Sequence, residues 1–231
     1  ILTYMVGFNL VASFNIADSL KAYSFYDPTL TPWIVGIVLA VVFLVCISGG
    51  GKQIANITAV LVPVMGVLYL AVTLFVVFTH ISLIPAVFAS IFHNAFNFQA
   101  IFGGFVGSAL MQGIKRGLFS NEAGIGAAAC AAGSAGVSHP AKQGLVQVLS
   151  VFIDTIVVCT ATAMLLLCSG VDPTAEAAGM PFVQQAMAGT LGQFGVIFIT
   201  VALFLFAFTT LLGNFYYAET GLSYLFNQAP S

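Results

Sequence analysis

The chain has 231 residues, 60% of them hydrophobic and only 5% charged, with a formal net charge of −2 and a mean hydropathy of +1.09. Soluble domains carry about 25% charged residues, so a water-facing globule is excluded; near-neutral charge without basic clusters excludes a nucleic-acid partner as well. What remains is an all-α, polytopic membrane protein whose outer surface meets membrane lipids.

The sparse charges are segregated: no Asp, Glu, Lys or Arg lies between Lys52 and Lys115, or from Ala177 to Ala218. Residues 3 to 20 form a helix that carries Asn9, Asn15 and Asp18. Trp33 to Ile47 is a clean apolar span and ends at Ser48-Gly49-Gly50-Gly51-Lys52, a glycine turn closed by a cation. Ile54 to Phe78 is the next span, with Pro63 as a kink. His80 to Asn97 alternates apolar and polar residues at helical spacing, which suits a helix lying in the interface.

Ile101 to Ala135 is too long for one straight crossing and is interrupted by Gly113, Gly117, Gly124 and Gly126. The expectation is two half-helices joined by an unwound stretch near 117–126. Ser138-His139-Pro140 is a turn into a span from Gln143 to Cys168, with Pro140 suited to a first helical turn. A polar loop from Ser169 and a short helix to about Leu191 precede the last span, Phe194 to Tyr217. With Lys52 and Lys142 on the cytoplasmic side, the crossings alternate consistently and Asp27, Asp172 and Glu176 fall outside, together with Lys21. A chain that starts at Ile1 with no signal-like segment reads as part of a longer protein.

Glu122 is the most informative residue, because an ionised carboxylate at membrane depth demands a partner or a polar cavity. Two roles are open to it: neutralisation by Lys115 and Arg116 just upstream, or a direct part in gating or solute binding. Around it the glycines let the backbone leave helical geometry, offering carbonyls to a cation and amides to a carboxylate. Phe119 is either a packing residue or a cover over a solute side chain. Asp154, beside Thr155, reads as a cap or cytoplasmic-gate residue, with ion or proton coordination the other option. Thr209 and Thr210 supply two hard oxygens suited to sodium, or else bond back to their own helix. Asn214 lies one turn beyond Thr210 on the same side. Cys46, Cys130, Cys159 and Cys168 lack ligand spacing and read as small buried hydrophobes. No nucleotide-binding or hydrolase motif is present, so neither an enzyme nor a bound cofactor is expected.

The run from Gly113-Ile114-Lys115-Arg116-Gly117 through Leu118-Phe119-Ser120-Asn121-Glu122 to Ala123-Gly124-Ile125-Gly126 resembles the alanine or glycine:cation symporters, also called sodium:alanine symporters. His139-Pro140, Gln143-Gly144-Leu145-Val146, Phe152-Ile153-Asp154-Thr155 and Phe206-Ala207-Phe208-Thr209-Thr210 extend the likeness over nearly the whole chain. The resemblance implies a bundle of two inverted five-helix repeats, of which residues 1–231 form a single transmembrane fragment from about the third to the eighth core helix. The first core helix and its neighbour would belong to the N-terminal part of the parent chain.

It further implies sodium-coupled symport of a small neutral amino acid such as alanine or glycine across the cell membrane, by alternating access, with Na+ as coupling ion. Phe119, Ser120, Asn121, Gly124, Thr210 and Asn214 would bind substrate, and Thr209 and Thr210 the ion. Glu122, Lys115, Arg116 and Asp154 would gate or support the site. Two positions depart from the family pattern: Ala12 stands where a glutamine is usual, and Asn214 where a tryptophan is usual. Together they would permit a larger or more polar solute. The competing readings are a carrier of a different amino acid or small polar solute, a passive pore, and a non-transporting structural or sensory membrane subunit.

Overall fold

The computed structural model describes residues 2–96, 109–171 and 179–226. All regular structure in them is helical. A π-helical stretch Thr3–Phe8 leads into α1 (Asn9–Ser19); then come α2 (Thr31–Ile47), α3 (Gly50–Thr79), α4 (Ile84–Ala95), α5 (Ala109–Ser120) and α6 (Ala127–Ser134). Next, α7 (Pro140–Phe152), a π-helical segment Ile153–Cys159 and α8 (Thr160–Cys168) form one rod, and α9 (Met180–Leu225) closes the chain.

Local chemistry sets these boundaries. Before α2, the Asp27 Oδ1 accepts from the Thr29 and Leu30 amides at 2.7 and 3.1 Å, while the Asp27 amide donates to Thr31 Oγ1 at 2.9 Å. These bonds fix the turn that leads into the helix, whose own N-cap Leu30 has no side-chain cap, and Pro32 then supplies a preset φ. At α7, extended His139 caps through Nδ1, which accepts from Ala141 N at 3.1 Å, with Pro140 beginning the helix. The expected glycine turn at 48–52 is shorter than its composition suggests: Gly50, Gly51 and Lys52 already belong to α3, which continues through Pro63. The amphipathic helix expected at His80 to Asn97 is α4, preceded by a 3-10 turn Ile81–Leu83. Of the preceding expectations, Ile101 to Ser108 and the loop residues 172–178 lie outside the described residues.

Three helical rods, Gly50–Thr79, Pro140–Cys168 and Met180–Leu225, are long and apolar enough to cross a membrane. Only 22% of the best window in each of the first two is buried within the protein. Trp33, Ile37, Leu44, Val60 and Val67 are all more than 60% exposed. Surfaces this greasy match hydrocarbon and not water. The chain is a multi-pass membrane protein.

The helices group into two compact units. In the first, residues 1–72 and 169–231, Ala12 and Ile16 of α1 pack with Leu39 of α2, Ile54 of α3 and Ala207, Phe208, Leu211 and Leu212 of α9. The apolar positions 12 and 16, and 207, 208, 211 and 212, each fall on one helical face. Edge-on ring pairs Phe43–Phe215 and Tyr69–Phe206, both with centroids 5.6 Å apart, extend this core. In the second unit, residues 73–168, Val77 of α3 and Val87 of α4 pack with Met164 and Cys168 of α8.

Candidate functional site

The second unit contains the break expected from the glycines, at sharper bounds than their spacing suggests. Gly113 and Gly117 remain helical within α5, and the chain leaves the helix only after Ser120. The termination has a defined geometry. Glu122 N–H donates to Phe119 O at 3.1 Å and Ala123 N–H to Leu118 O at 3.0 Å. These are the two bonds of a Schellman cap, in which the residue at Glu122's position takes a left-handed conformation that is usually given to glycine. Glu122 does so with φ of 50°, the one non-glycine positive φ among the described residues. Gly124 and Gly126 follow at φ 80° and 97°, and Gly126 then starts α6 with no side-chain cap.

The break is held from the side by the rod that begins at Pro140. Ser120 Oγ donates to Asp154 Oδ2 at 2.6 Å, and Thr155 Oγ1 donates to Asn121 Oδ1 at 2.5 Å. Asn121 Nδ2 also donates to Gly117 O at 3.0 Å, so both ends of its amide are engaged. Two consecutive residues of one rod therefore grip two consecutive residues of the other. Both lie in residues 153–159, which are wound as a π-helix, a local widening frequent at functional sites. Asp154 is not a cap: its helix starts at Pro140, and the carboxylate sits in the interior of the rod. Thr155, part of the polar couplet in the sequence but not among the expected site residues, is the partner that Asn121 uses.

Lys115 and Arg116 are exposed on α5, and neither forms an ion pair with Glu122. Phe119 is 51% exposed and so is not a core residue of this unit. Cys159 is exposed too, contrary to its reading as a buried hydrophobe, with Sγ 3.5 Å from Ser120 Oγ. Among the described residues no group of three or more His, Cys, Asp and Glu side chains is placed to hold a metal.

Thr209, Thr210 and Asn214 belong to the first unit, on α9. The hydroxyls of Thr209 and Thr210 both donate to Phe206 O at 2.9 Å. This is the back-bonded arrangement, and it leaves the hydroxyl oxygens as acceptors. Asn214, only 4% exposed, donates from Nδ2 to Asn9 Oδ1 at 3.0 Å, while Asn9 Nδ2 donates to Met5 O at 3.2 Å. Asn214 thus ties the last span to the first helix.

Along residues 1–231 the sequence matches the description of the sodium:alanine symporter family. The chain belongs to that family. It is 43% identical to the amino-acid carrier protein AlsT of Bacillus subtilis over 94% of this chain and 46% of the relative. The probable sodium/glutamine symporter GlnT of the same organism is 41% identical, over 97% of this chain and 46% of that protein. The sodium/alanine symporter AgcS of Methanococcus maripaludis is 38% identical over 94% of this chain and 48% of its own length. The chain spans about half the length of the curated relatives it matches. In this family context the Schellman-terminated break carries the same Phe119-Ser120-Asn121-Glu122 run on which the resemblance rests.

Proposed function

We propose that the intact protein imports a small neutral amino acid across the cell membrane together with Na+, by alternating access. The observation that carries this reading is the break itself: α5 ends in a fixed cap, α6 begins without a side-chain cap, and Asp154 and Thr155 grip Ser120 and Asn121 where the first helix ends. A helix start without a cap offers backbone amides and a positive dipole end to a substrate carboxylate. Relatives named as sodium/alanine and probable sodium/glutamine symporters support the solute class and the ion.

In this reading Phe119, Ser120, Asn121, Gly124, Thr210 and Asn214 serve the substrate. Thr209 and Thr210 serve sodium, and the chemistry of the donor set fits: their protons are spent on Phe206 O, so oxygen lone pairs are what they offer a hard cation. Glu122 and Asp154, with Lys115 and Arg116 one or two turns upstream, form the gating and supporting group. The residues correspond to about the third to eighth core helices of an inverted-repeat bundle, completed by N-terminal helices of the parent.

The test is uptake of radiolabelled alanine, glycine, serine and glutamine by the intact protein in membrane vesicles, with Na+ replaced by choline or lithium. Uptake is expected to collapse without Na+. Undiminished uptake in choline overturns the coupling. A larger, more polar solute is the second reading, favoured by Asn214 at a position where tryptophan is usual. Glutamine outcompeting alanine, with the order reversed in Asn214→Trp, is its expected signature.

A further inference from the structure

Ser120 Oγ has a second neighbour on the rod that grips it. Asp154 Oδ2 lies 2.6 Å away and Cys159 Sγ 3.5 Å away, from residues five positions apart. An α-helix presents residues three and four apart on one face and turns the fifth aside. In the π-helical segment Ile153–Cys159 the repeat closes over five residues instead, so 154 and 159 stand one above the other. The widened winding lets a single hydroxyl meet both.

The proton count fixes which way each bond runs. A serine hydroxyl has one proton to give and two lone pairs with which to accept, whereas an ionised carboxylate only accepts. The Ser120 proton therefore goes to Asp154, and toward Cys159 the hydroxyl acts only as an acceptor, which makes the thiol the donor. The result is a directed chain from the Cys159 thiol through the Ser120 hydroxyl to the Asp154 carboxylate, in which each bond polarises the next.

Packing does not account for this cysteine. A free cysteine usually serves as a small buried hydrophobe, and Cys168 of the same rod, 1% exposed, does so. Cys159 is exposed, as is Ser120. With the Asp154 bond alone the Ser120 hydroxyl could turn about that bond; a donor on its oxygen fixes the turn and leaves one lone pair uncommitted. We infer that Cys159 is a positioning residue for solute recognition, its thiol holding the Ser120 hydroxyl so that it meets the solute as an acceptor. The inference rests on the reading of Ser120 as a substrate-binding residue and adds to it the group that orients the hydroxyl.

Two measurements on the purified intact protein test it. Infrared difference spectra read the thiol directly, because the S–H stretch stands clear of other protein bands and falls in frequency when the thiol donates. The band that disappears in Cys159→Ala is expected to rise in frequency in Ser120→Ala; a band that stays in place overturns the inference, whichever solute the protein carries. Equilibrium binding of radiolabelled L-alanine and L-glutamine reads the consequence. Cys159→Ala should weaken binding about threefold, the effect of one neutral hydrogen bond, with maximal uptake and melting temperature little changed. Cys159→Ser keeps a donor and should bind as the wild type does. In a Ser120→Ala background, Cys159→Ala should have no further effect, because it acts through that hydroxyl. Undiminished affinity in Cys159→Ala, or an equal loss in Cys159→Ser, overturns the inference, and this pair decides alone if Ser120→Ala binds too weakly to measure. Replacing Na+ by choline bears on the symport proposal and leaves the infrared result untouched, so the two fail separately.

Discussion

Ser120 donates to Asp154 at 2.6 Å, and the next residue on each rod repeats the pairing, with Thr155 donating to Asn121. A pair of adjacent bonds fixes rotation as well as position, which a single contact does not. The last helical residue and the first of the broken segment are therefore held by a neighbour before any solute arrives, and pre-organisation of this kind lowers the entropy cost of binding.

Removing one bond of the pair is expected to loosen the grip without unfolding the unit. Thr155→Val preserves shape and deletes a hydroxyl, at a cost of about 1 kcal/mol. Amino-acid affinity of the intact protein should fall about fivefold with maximal uptake little changed, and Thr155→Ser should restore it. Equal affinity in Thr155→Val and wild type, measured by concentration-dependent uptake, would show that the grip does not shape the site.

Glu122 combines two properties that substitution can separate: charge and a left-handed backbone. A side chain in that region costs about 1–2 kcal/mol relative to glycine. Glu122→Gly is expected to stabilise the cap by about 1 kcal/mol, seen as a higher melting temperature of the detergent-solubilised protein. Glu122→Gln retains the left-handed backbone strain and removes the charge. If Glu122 serves gating through its charge, both variants lose uptake; if it serves only conformation, Glu122→Gly retains it.

The sequence made some of this arrangement legible and concealed the rest for identifiable reasons. Apolar spans were readable because lipid imposes composition directly on any helix that faces it. The break was readable from its glycines, but its limits were not. Gly113 and Gly117 stay helical because a glycine permits a turn without requiring one, and the departure falls at Glu122, a residue type that rarely takes this backbone. Of the roles open to Asp154 in the sequence, a cap, a cytoplasmic gate or coordination of an ion or proton, the rod that starts at Pro140 removes only the first. Its actual partner is 34 positions away in sequence, set by the packing of two rods. Thr155 was passed over for the same reason, since a helical threonine normally bonds to its own turn.

The Asp27 turn before α2 gives a pH prediction. The Asp27 carboxyl lies below its ordinary value of 3.8 because the backbone amides of Leu30 and Thr29 bond to its ionised form. A carboxyl with a depressed folded-state pKa contributes stability that is fully present above the unfolded value and is lost as pH falls through the folded one. Wild type should therefore lose this contribution only below about pH 3.8, and Asp27→Ala should be less stable at neutral pH yet converge with wild type in strong acid. Melting curves from pH 7 to pH 2.5 in detergent check it; a gap between the two proteins that stays constant with pH would assign the effect to something other than the carboxylate.

The link between Asn214 and Asn9 is the last arrangement that a substitution can read. Both side chains are amides; Asn214 is buried at 4% exposure and Asn9 is half-buried, so deleting either takes a hydrogen-bond partner from the other in the first unit. Asn214→Leu is expected to destabilise by about 1–3 kcal/mol. Asn9→Leu should do the same for the reciprocal reason. The double variant removes both polar groups at once, so its loss should be smaller than the sum of the two, with a coupling of about 1 kcal/mol in a double-mutant cycle. Additive losses would mean that the two amides meet without supporting each other, and Asn214 would then be free to be judged by its effect on solute selectivity alone.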